Sequence, residues 1–204
     1  MSSSTKTAGS FTSQADAEGG RQAARVVTLR DREHYVLREL GPDDEPLLRE
    51  MFARASQEDI HFRCFGAMRG FAEDMAHRLA HLDPKQEFAL AVLTPPEAGR
   101  EEILGVVHLE KNPEAETTAE FDIMVRADLK QHGLGYLLMT EVLRSARRRG
   151  LEAVTGMILR DNYVMLQMAH ELGFATESVE DDLVKVKAPL ARSPVFDDAE
   201  LDDA

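Results

Sequence analysis

The sequence predicts an α/β (α+β) fold in which helices flank a mixed, mostly antiparallel sheet of six to seven strands. One observation is a set of short segments that mix β-branched and aromatic residues and alternate apolar with polar positions, as strands do. A second is a set of longer segments with apolar residues three or four positions apart, which predicts amphipathic helices. The third is their order: a strand, several helices, three closely linked strands, then helix, strand, helix and two strands.

The first half of the chain supplies the predicted meander. A first strand is predicted at residues 35–39, and Gly41-Pro42-Asp43-Asp44 then gives a turn and a helix cap. The predicted helices of this half lie at residues 45–55, 56–64 and 71–82. The strands that follow lie at residues 87–93, 103–109 and 118–125. Because short links join these three strands, we expect them to pair in an antiparallel manner.

In the second half, helices and strands alternate. A helix is predicted from Gly135 to Arg149, stopped by Gly150, and a strand follows at residues 153–159. Asp161-Asn162 begins another helix, which ends at Leu172. The two final strands are predicted at residues 174–178 and 183–187.

The length of 204 residues suits one domain with tails at both ends. Residues 1–25 are rich in Ser, Thr, Gly, Ala and Gln without periodicity, so we expect a disordered N-terminal arm. The folded domain is expected at residues 34–190, followed by an acidic tail at residues 191–204 in which Phe196 and Leu201 have the option of docking.

Composition excludes several classes of function. No apolar run reaches the ~20 residues that span a bilayer, and no signal peptide is recognisable, so we expect a cytoplasmic protein without a membrane partner. Cys64 is the single cysteine, which excludes an internal disulfide and a Cys-rich metal site, and we expect no metal cofactor. The net charge of −13 disfavours nucleic acid and favours a basic partner such as a lysine amine.

The turn between the strand at 118–125 and the next helix contains Gly133 and Gly135. Glycines at this point let backbone N–H groups converge just before a helix begins, which predicts an anion site suited to phosphate. No Lys-Ser or Lys-Thr follows, as a Walker A loop requires, and Leu138 stands where a dinucleotide fingerprint needs its third glycine.

The stretch Lys130-Gln131-His132-Gly133-Leu134-Gly135 resembles the pyrophosphate loop of the GNAT superfamily of N-acetyltransferases, Gln/Arg-x-x-Gly-x-Gly/Ala, with Lys at the first place. Asn162 and Gly173-Phe174 match the ends of a second motif of that superfamily. Residues 40–49 and 56–65 resemble the bacterial protein lysine acetyltransferases that modify acyl-CoA synthetases. The resemblance covers residues 34–190.

The resemblance implies a sheet that splays between the fourth and fifth predicted strands, with acetyl-CoA as co-substrate in the gap. Pantetheine amides would pair with the backbone near Met124 and Val125, and Asn162 would touch the pantetheine while also capping its helix. The implied pyrophosphate-binding residues are those of the loop and the first helical turn: Lys130, Gln131, His132, Gly133, Leu134, Gly135 and Tyr136.

Acetyl transfer to an amine requires a neutral amine, and a free lysine has a pKa of about 10.4, so a carboxylate base is expected. Glu120, ten residues before Lys130, resembles the base glutamate of the histone-type branch, although an ordinary outward-facing strand residue is the alternative. Asp122 has the same side-chain parity and is a second candidate, and His108 on the neighbouring strand is a weaker one. Ala169 replaces the tyrosine that many relatives use to protonate the leaving thiolate, which leaves that step to solvent.

Three functions follow as hypotheses. The favoured one is an enzyme that acetylates a protein lysine, with an acyl-CoA synthetase as the expected acceptor. The second is an enzyme that acetylates a small amine, such as a polyamine or an antibiotic. The third is an acetyl-CoA-binding sensor without catalytic activity.

Overall fold

The computed structural model describes residues 23–29, 33–55, 71–129 and 132–196, and its centre is one mixed sheet of eight strands. The strands, in chain order, are β1 (Arg25–Thr28), β2 (His34–Glu39), β3 (Glu87–Leu93), β4 (Ile103–Asn112), β5 (Ala115–Val125), β6 (Ala153–Leu159), β7 (Ala175–Glu180) and β8 (Leu183–Pro189). Their spatial order is β1-β2-β3-β4-β5-β6-β8-β7. The pair β5–β6 is parallel and the other neighbouring pairs are antiparallel, so the predicted fold class and the predicted meander are confirmed.

Helices cover both faces of the sheet. They are α1 (Glu45–Ala53), α2 (Phe71–Ala80), α3 (Leu134–Arg148) and α4 (Tyr163–Glu171). Apolar residues of α1 and α2 pack with alternate residues of β3, β4 and β5 in one core cluster. Those of α3 and α4 pack with the opposite face in a second cluster. The helix predicted at residues 56–64, together with Cys64, lies outside the described residues.

The predicted count of six to seven strands is wrong, because the sheet has eight. The additional strand is β1, which lies before the predicted domain start at residue 34. This strand is short, and Val27 is its one buried position, so the sequence shows no alternation of apolar and polar residues that would predict it. Its place is fixed by Arg25, whose guanidinium lies 2.5 Å from the buried carboxylate of Glu141 on α3. Partnership with a residue more than a hundred positions away cannot be read from local pattern.

The C-terminal segment also differs from the expected tail. Two short 3-10 turns, Leu190–Arg192 and Pro194–Phe196, follow β8, and Val195 is buried in the α3 core cluster. The Arg147 guanidinium stacks 4.4 Å above the Phe196 ring, which holds the segment against the end of α3. Residues 197–204, which include Leu201, lie outside the described part of the chain.

The fourth and fifth predicted strands are β5 and β6, and they separate as expected. Their pairing is limited to Thr118↔Ala153, Ala119↔Val154 and Glu120↔Thr155. From Phe121 to Val125, β5 keeps its pairing with β4 but has no register partner on β6. Glu120 therefore marks the apex of a gap that widens towards α3.

The side chain of Phe121 crosses the beginning of this gap. A methyl group placed on Gly156, the first β6 residue after the paired segment, would lie 2.2 Å from the Phe121 ring. The same ring makes an edge-to-face contact with Phe174 at a centroid distance of 5.4 Å. Phe121 thus needs a glycine beneath it, and the core remains closed under the gap because its ring fills this space.

Among the described residues, none of the helices combines the length and the hydropathy required to cross a lipid bilayer.

A first prediction tests the Phe121–Gly156 contact. Gly156→Ala should destabilise the fold by about 1–3 kcal/mol, because the new methyl overpacks the core against an aromatic ring. The urea unfolding midpoint measures the loss. In a Phe121→Leu background the colliding ring atoms are absent, so the same substitution should cost less. Equal stability of Gly156→Ala and the parent would contradict this packing.

Candidate active site

The N-terminus of α3 presents backbone amides without a capping side chain. Gly133 is the N-cap residue, adopts φ +88° and offers no side chain, and the first helical bond runs from the Leu137 N–H to the Gly133 carbonyl at 2.9 Å. The amides of residues 134–136 precede that bond and so have no intrahelical acceptor. An anion is the natural ligand of such a terminus in a 15-residue helix.

The two loop glycines differ in why a glycine stands at each position. Gly133 has open space around it, and its left-handed φ is what excludes an ordinary residue. At Gly135 a Cβ would make ordinary contacts, 3.7 Å from the Met168 Cε and 3.8 Å from the Val125 Cγ2. The fold therefore tolerates a side chain at Gly135, and the missing side chain keeps the approach to the helix end open.

The other loop residues have mixed placements. His132 and Tyr136 are exposed, and Leu134 is buried in the core beneath the loop. Lys130 and Gln131 lie outside the described residues, so their predicted contacts with a pyrophosphate stay predictions.

An arginine that the sequence reasoning passed over fixes the end of β5. Arg126 donates to Glu102 at 2.7 Å and to Asp128 at 2.7 Å, and Arg54 at the end of α1 donates to Glu102 at 3.0 Å. The hydrogen bond from Arg126, followed by that from Arg54, holds the pKa of Glu102 below its usual value. A cavity of about 280 Å³ lies beside this clamp, between Met51 on α1 and the end of β5.

The alternation of backbone groups decides which residues face the gap. The Arg126 N–H donates to the Leu104 carbonyl at 2.9 Å, so every second residue before it, including Met124, also directs its backbone towards β4. Ile123 and Val125 direct theirs towards the gap. Of the two predicted backbone contacts, Val125 thus lies on the gap edge, whereas the Met124 side chain packs in the core below α1 and α2.

Glu120 lies at the apex of the gap, where its pairing with Thr155 is the last between β5 and β6. Its side chain is exposed and shares a sheet face with Asp122, as strand parity predicts, and with Glu110 directly opposite on β4. Desolvation by surrounding protein atoms, followed by the negative charges of Asp122 and Glu110, raises the pKa of Glu120. Lys185 acts in the opposite direction but does not reverse the shift.

His108 is buried between carboxylates of the neighbouring strands. Its Nδ1 lies 3.5 Å from the Asp122 Oδ2 and its Nε2 lies 3.6 Å from the Glu87 Oε2. The ring is 3% exposed, and Nε2 makes no hydrogen bond within the described residues. A ring so enclosed has no open route to an acceptor amine, so its position suits support of Asp122 better than direct proton transfer.

The second motif is anchored by Asn162. Its side-chain oxygen accepts the Met165 N–H at 3.2 Å, so it caps α4, and its amide NH₂ group remains available for another contact. Ala169 is fully enclosed in the core, and Tyr163 on the same helix is 75% exposed. Ala169 has no hydroxyl to offer, and the Tyr163 side chain extends mostly into solvent.

The comparisons with known proteins agree with this architecture. The family model described as "Acetyltransferase (GNAT) family" matches residues 48–174. An acetyltransferase of Pseudomonas aeruginosa is 26% identical over 166 residues, which are 81% of this chain and 88% of that protein.

Two solved structures share the fold. The GNAT domain of S. lividans PAT superposes with a TM-score of 0.72 at 21% identity, covering 81% of this chain and 96% of that one. Spermidine N-acetyltransferase from Vibrio cholerae, in complex with CoA and spermine, gives a TM-score of 0.63 at 17% identity and covers 78% and 96%. With the family model matched over more than half of its length, the chain belongs to the GNAT acetyltransferase family and is an N-acetyltransferase.

Proposed function

We propose that the enzyme moves the acetyl group of acetyl-CoA to the side-chain amine of a protein lysine, with Glu120 as the general base. The observation that carries this proposal is the place of Glu120, an exposed carboxylate with a raised pKa at the apex of the gap between β5 and β6. Acetyl-CoA is the co-substrate of the family, and the gap is the part of the fold that suits a long, thin pantetheine arm.

The residues around the gap divide the work of binding. We assign pyrophosphate binding to the backbone amides of residues 132–136 at the start of α3. Lys130 and Gln131, in the loop before them, are assigned further contacts with the pyrophosphate. Val125 and Ile123 offer backbone groups to the pantetheine amides, as a neighbouring strand would. The Asn162 amide lies at the start of α4, on the other side of the gap, and is a further donor. The N–H groups at the start of α3 have no acceptor within the helix, and the space around Gly133 is free of other atoms. Both features suit a bound pyrophosphate.

Glu120 deprotonates the acceptor. Its carboxylate takes a proton from the lysine ammonium, and the neutral nitrogen forms a bond to the thioester carbonyl carbon. The carbon–sulfur bond then breaks, and the nitrogen loses its second proton to solvent to give the amide. The leaving thiolate takes its proton from solvent, since Ala169 offers none. A raised pKa makes Glu120 a stronger base than a free glutamate and still leaves it ionised when the pH exceeds that pKa.

The charges around Glu120 favour a cationic acceptor. Glu120, Asp122, Glu110 and Glu87 project from three adjacent strands on one face, and the Arg78 guanidinium bonds Glu110 at 2.7 Å and approaches Glu87 at 3.4 Å. Four carboxylates against Arg78 and Lys185 leave a net negative surface, which attracts an ammonium group before it is deprotonated.

The choice between a protein and a small acceptor rests on two observations. The exposed position of Glu120 suits a lysine that approaches on the surface of another protein, and residues 40–49 and 56–65 resemble the enzymes that modify acyl-CoA synthetases. The cluster of carboxylates is the observation in favour of the second candidate, a polyamine, because several positive charges would each find a partner there.

A second prediction concerns the base. Glu120→Gln should lower kcat by roughly 10²–10⁴-fold at pH 7, while the affinity for acetyl-CoA stays unchanged, since that affinity is assigned to the gap and the loop. The deficit should shrink at alkaline pH, where more of the amine is already neutral. Turnover measured against pH, with calorimetry of acetyl-CoA, tests both statements.

The matched control is Glu116→Gln, which changes an exposed glutamate of the same strand four residues from the apex. A raised pKa in the fold means that ionised Glu120 is disfavoured, so its contribution to stability is present at low pH and lost as pH rises through that pKa. Glu120→Gln should therefore fold at pH 7 at least as well as the parent. If the activity of Glu120→Gln is within a few-fold of that of the parent, Glu120 is not the general base, and Asp122 becomes the candidate for that role.

A third prediction concerns the loop. Gly135→Asp should abolish acetyl-CoA binding, because the new carboxylate stands against the pyrophosphate, yet the fold should survive since its Cβ makes only ordinary contacts. Asn112→Asp adds the same charge at the last residue of β4, away from the loop, with almost no change of shape, and should bind normally. Unchanged affinity of a folded Gly135→Asp enzyme in calorimetry would remove the pyrophosphate from this loop.

A fourth prediction concerns the acceptor. With labelled acetyl-CoA, an acyl-CoA synthetase should lose activity and gain an acetylated lysine detectable by mass spectrometry, and the Glu120→Gln enzyme should label it far more slowly. Rapid labelling of spermidine with none on the synthetase would instead establish the small-amine function. If the protein binds acetyl-CoA but labels neither the synthetase nor spermidine, the result would favour the third hypothesis, an acetyl-CoA-binding sensor without catalytic activity.

A further inference from the structure

A cluster of metal-binding side chains lies apart from the acetyl-transfer site, where α1 begins and α2 ends. Glu45 is the first residue of α1, and His77 and His81 are one turn apart in and just after the last turn of α2. One potential ligand atom from each residue lies within 4.8 Å of the other two. The spacing of four residues places both imidazoles on the same helix face, which α1 meets with Glu45.

The separations suit a small divalent ion. The Glu45 Oε2 lies 3.1 Å from the His77 Nδ1 and 3.7 Å from the His81 Nδ1. Ligands of a tetrahedral zinc ion at 2.0–2.1 Å stand about 3.3 Å apart, and the two measured separations bracket that value. Two imidazole nitrogens and one carboxylate oxygen form a donor set that zinc and its neighbours in the first transition row prefer, with a fourth position left for water.

The carboxylate is already oriented towards the histidines. Arg49 donates to the Glu45 Oε1 at 2.6 Å, which leaves Oε2 directed at the two rings. The imidazoles face each other at a centroid distance of 4.4 Å with a tilt of 30°. The His81 Nδ1 also lies 3.0 Å from the His77 carbonyl, so a metal ion bound through this nitrogen takes the place of that contact.

We propose that Glu45, His77 and His81 form a binding site for a divalent transition metal ion such as Zn²⁺, and that the ion ties α1 to α2. A simple ion pair between Glu45 and one protonated histidine explains a single short contact. It does not require a second imidazole beside the same carboxylate oxygen. The proposal is independent of the acetyl-transfer mechanism, because none of these residues belongs to the gap or to the loop.

The test uses the full chain without a polyhistidine tag, stripped of metal by a chelator. Titration with Zn²⁺ in a calorimeter should show one saturable site per chain and a rise in the thermal unfolding midpoint, whereas Mg²⁺, which prefers oxygen ligands, should give neither. His77→Ala, His81→Ala and Glu45→Gln should each weaken Zn²⁺ by about tenfold or more.

Two controls make the outcome decisive. His170→Ala removes another exposed helical histidine, outside the cluster, and should leave Zn²⁺ affinity unchanged. The three ligand variants change surface side chains, so circular dichroism and normal acetyl-CoA binding verify that each is folded. The proposal is overturned if the parent shows no saturable Zn²⁺ site, or if the His77→Ala/His81→Ala double variant binds Zn²⁺ as the parent does.

Discussion

The packing of the Phe121 ring over Gly156 is the contact on which the rest of the site depends. A parallel pair of strands would normally remain hydrogen-bonded along its length, which would leave no space for a co-substrate. Here β5 and β6 share three residue pairs and then separate, and the ring closes the core beneath the opening. Because the ring is buried on one face, the opposite face at the same point carries Glu120. One strand thus supplies, at adjacent positions, the floor of the gap and the carboxylate that we propose as the base.

The fold was largely predictable, because its evidence is local. Alternation and helical spacing predict seven of the eight strands, and the glycines between β5 and α3 predict an anion site at the turn where α3 begins. The sequence does not predict β1, because the strand is short and has one buried position, and the contacts that hold it are its pairing with β2 and a distant ion pair to Glu141. β5 was predicted to start at Thr118 but starts at Ala115, since Pro113 and Glu114 alone suffice to turn the chain.

The site was less predictable, since it depends on which edge and which face a residue occupies. Parity placed Glu120 and Asp122 on one face, and the structure agrees, but parity alone does not say that Met124 bonds to β4 while Ile123 and Val125 face the gap. Glu102 accepts hydrogen bonds from Arg126, which follows β5, and from Arg54 at the end of α1. These residues are far apart in the chain, so no local sequence motif reveals the contact. The His77–His81 spacing is visible in the sequence, but its partner Glu45 is brought near only by the packing of α1 on α2.

The attachments of α3 bear on which features of the fold can change independently. Arg25 reaches Glu141 near the middle of the helix, and Phe196 stacks on Arg147 at its far end. At a rise of about 1.5 Å per residue, Glu141 lies roughly 10 Å and Arg147 roughly 20 Å along the helix from Leu134, so both attachments are set back from the amides that begin α3. The residues that hold the two described ends thus differ from those that expose the amides, so the anchoring of the ends and the openness of the anion site can change independently.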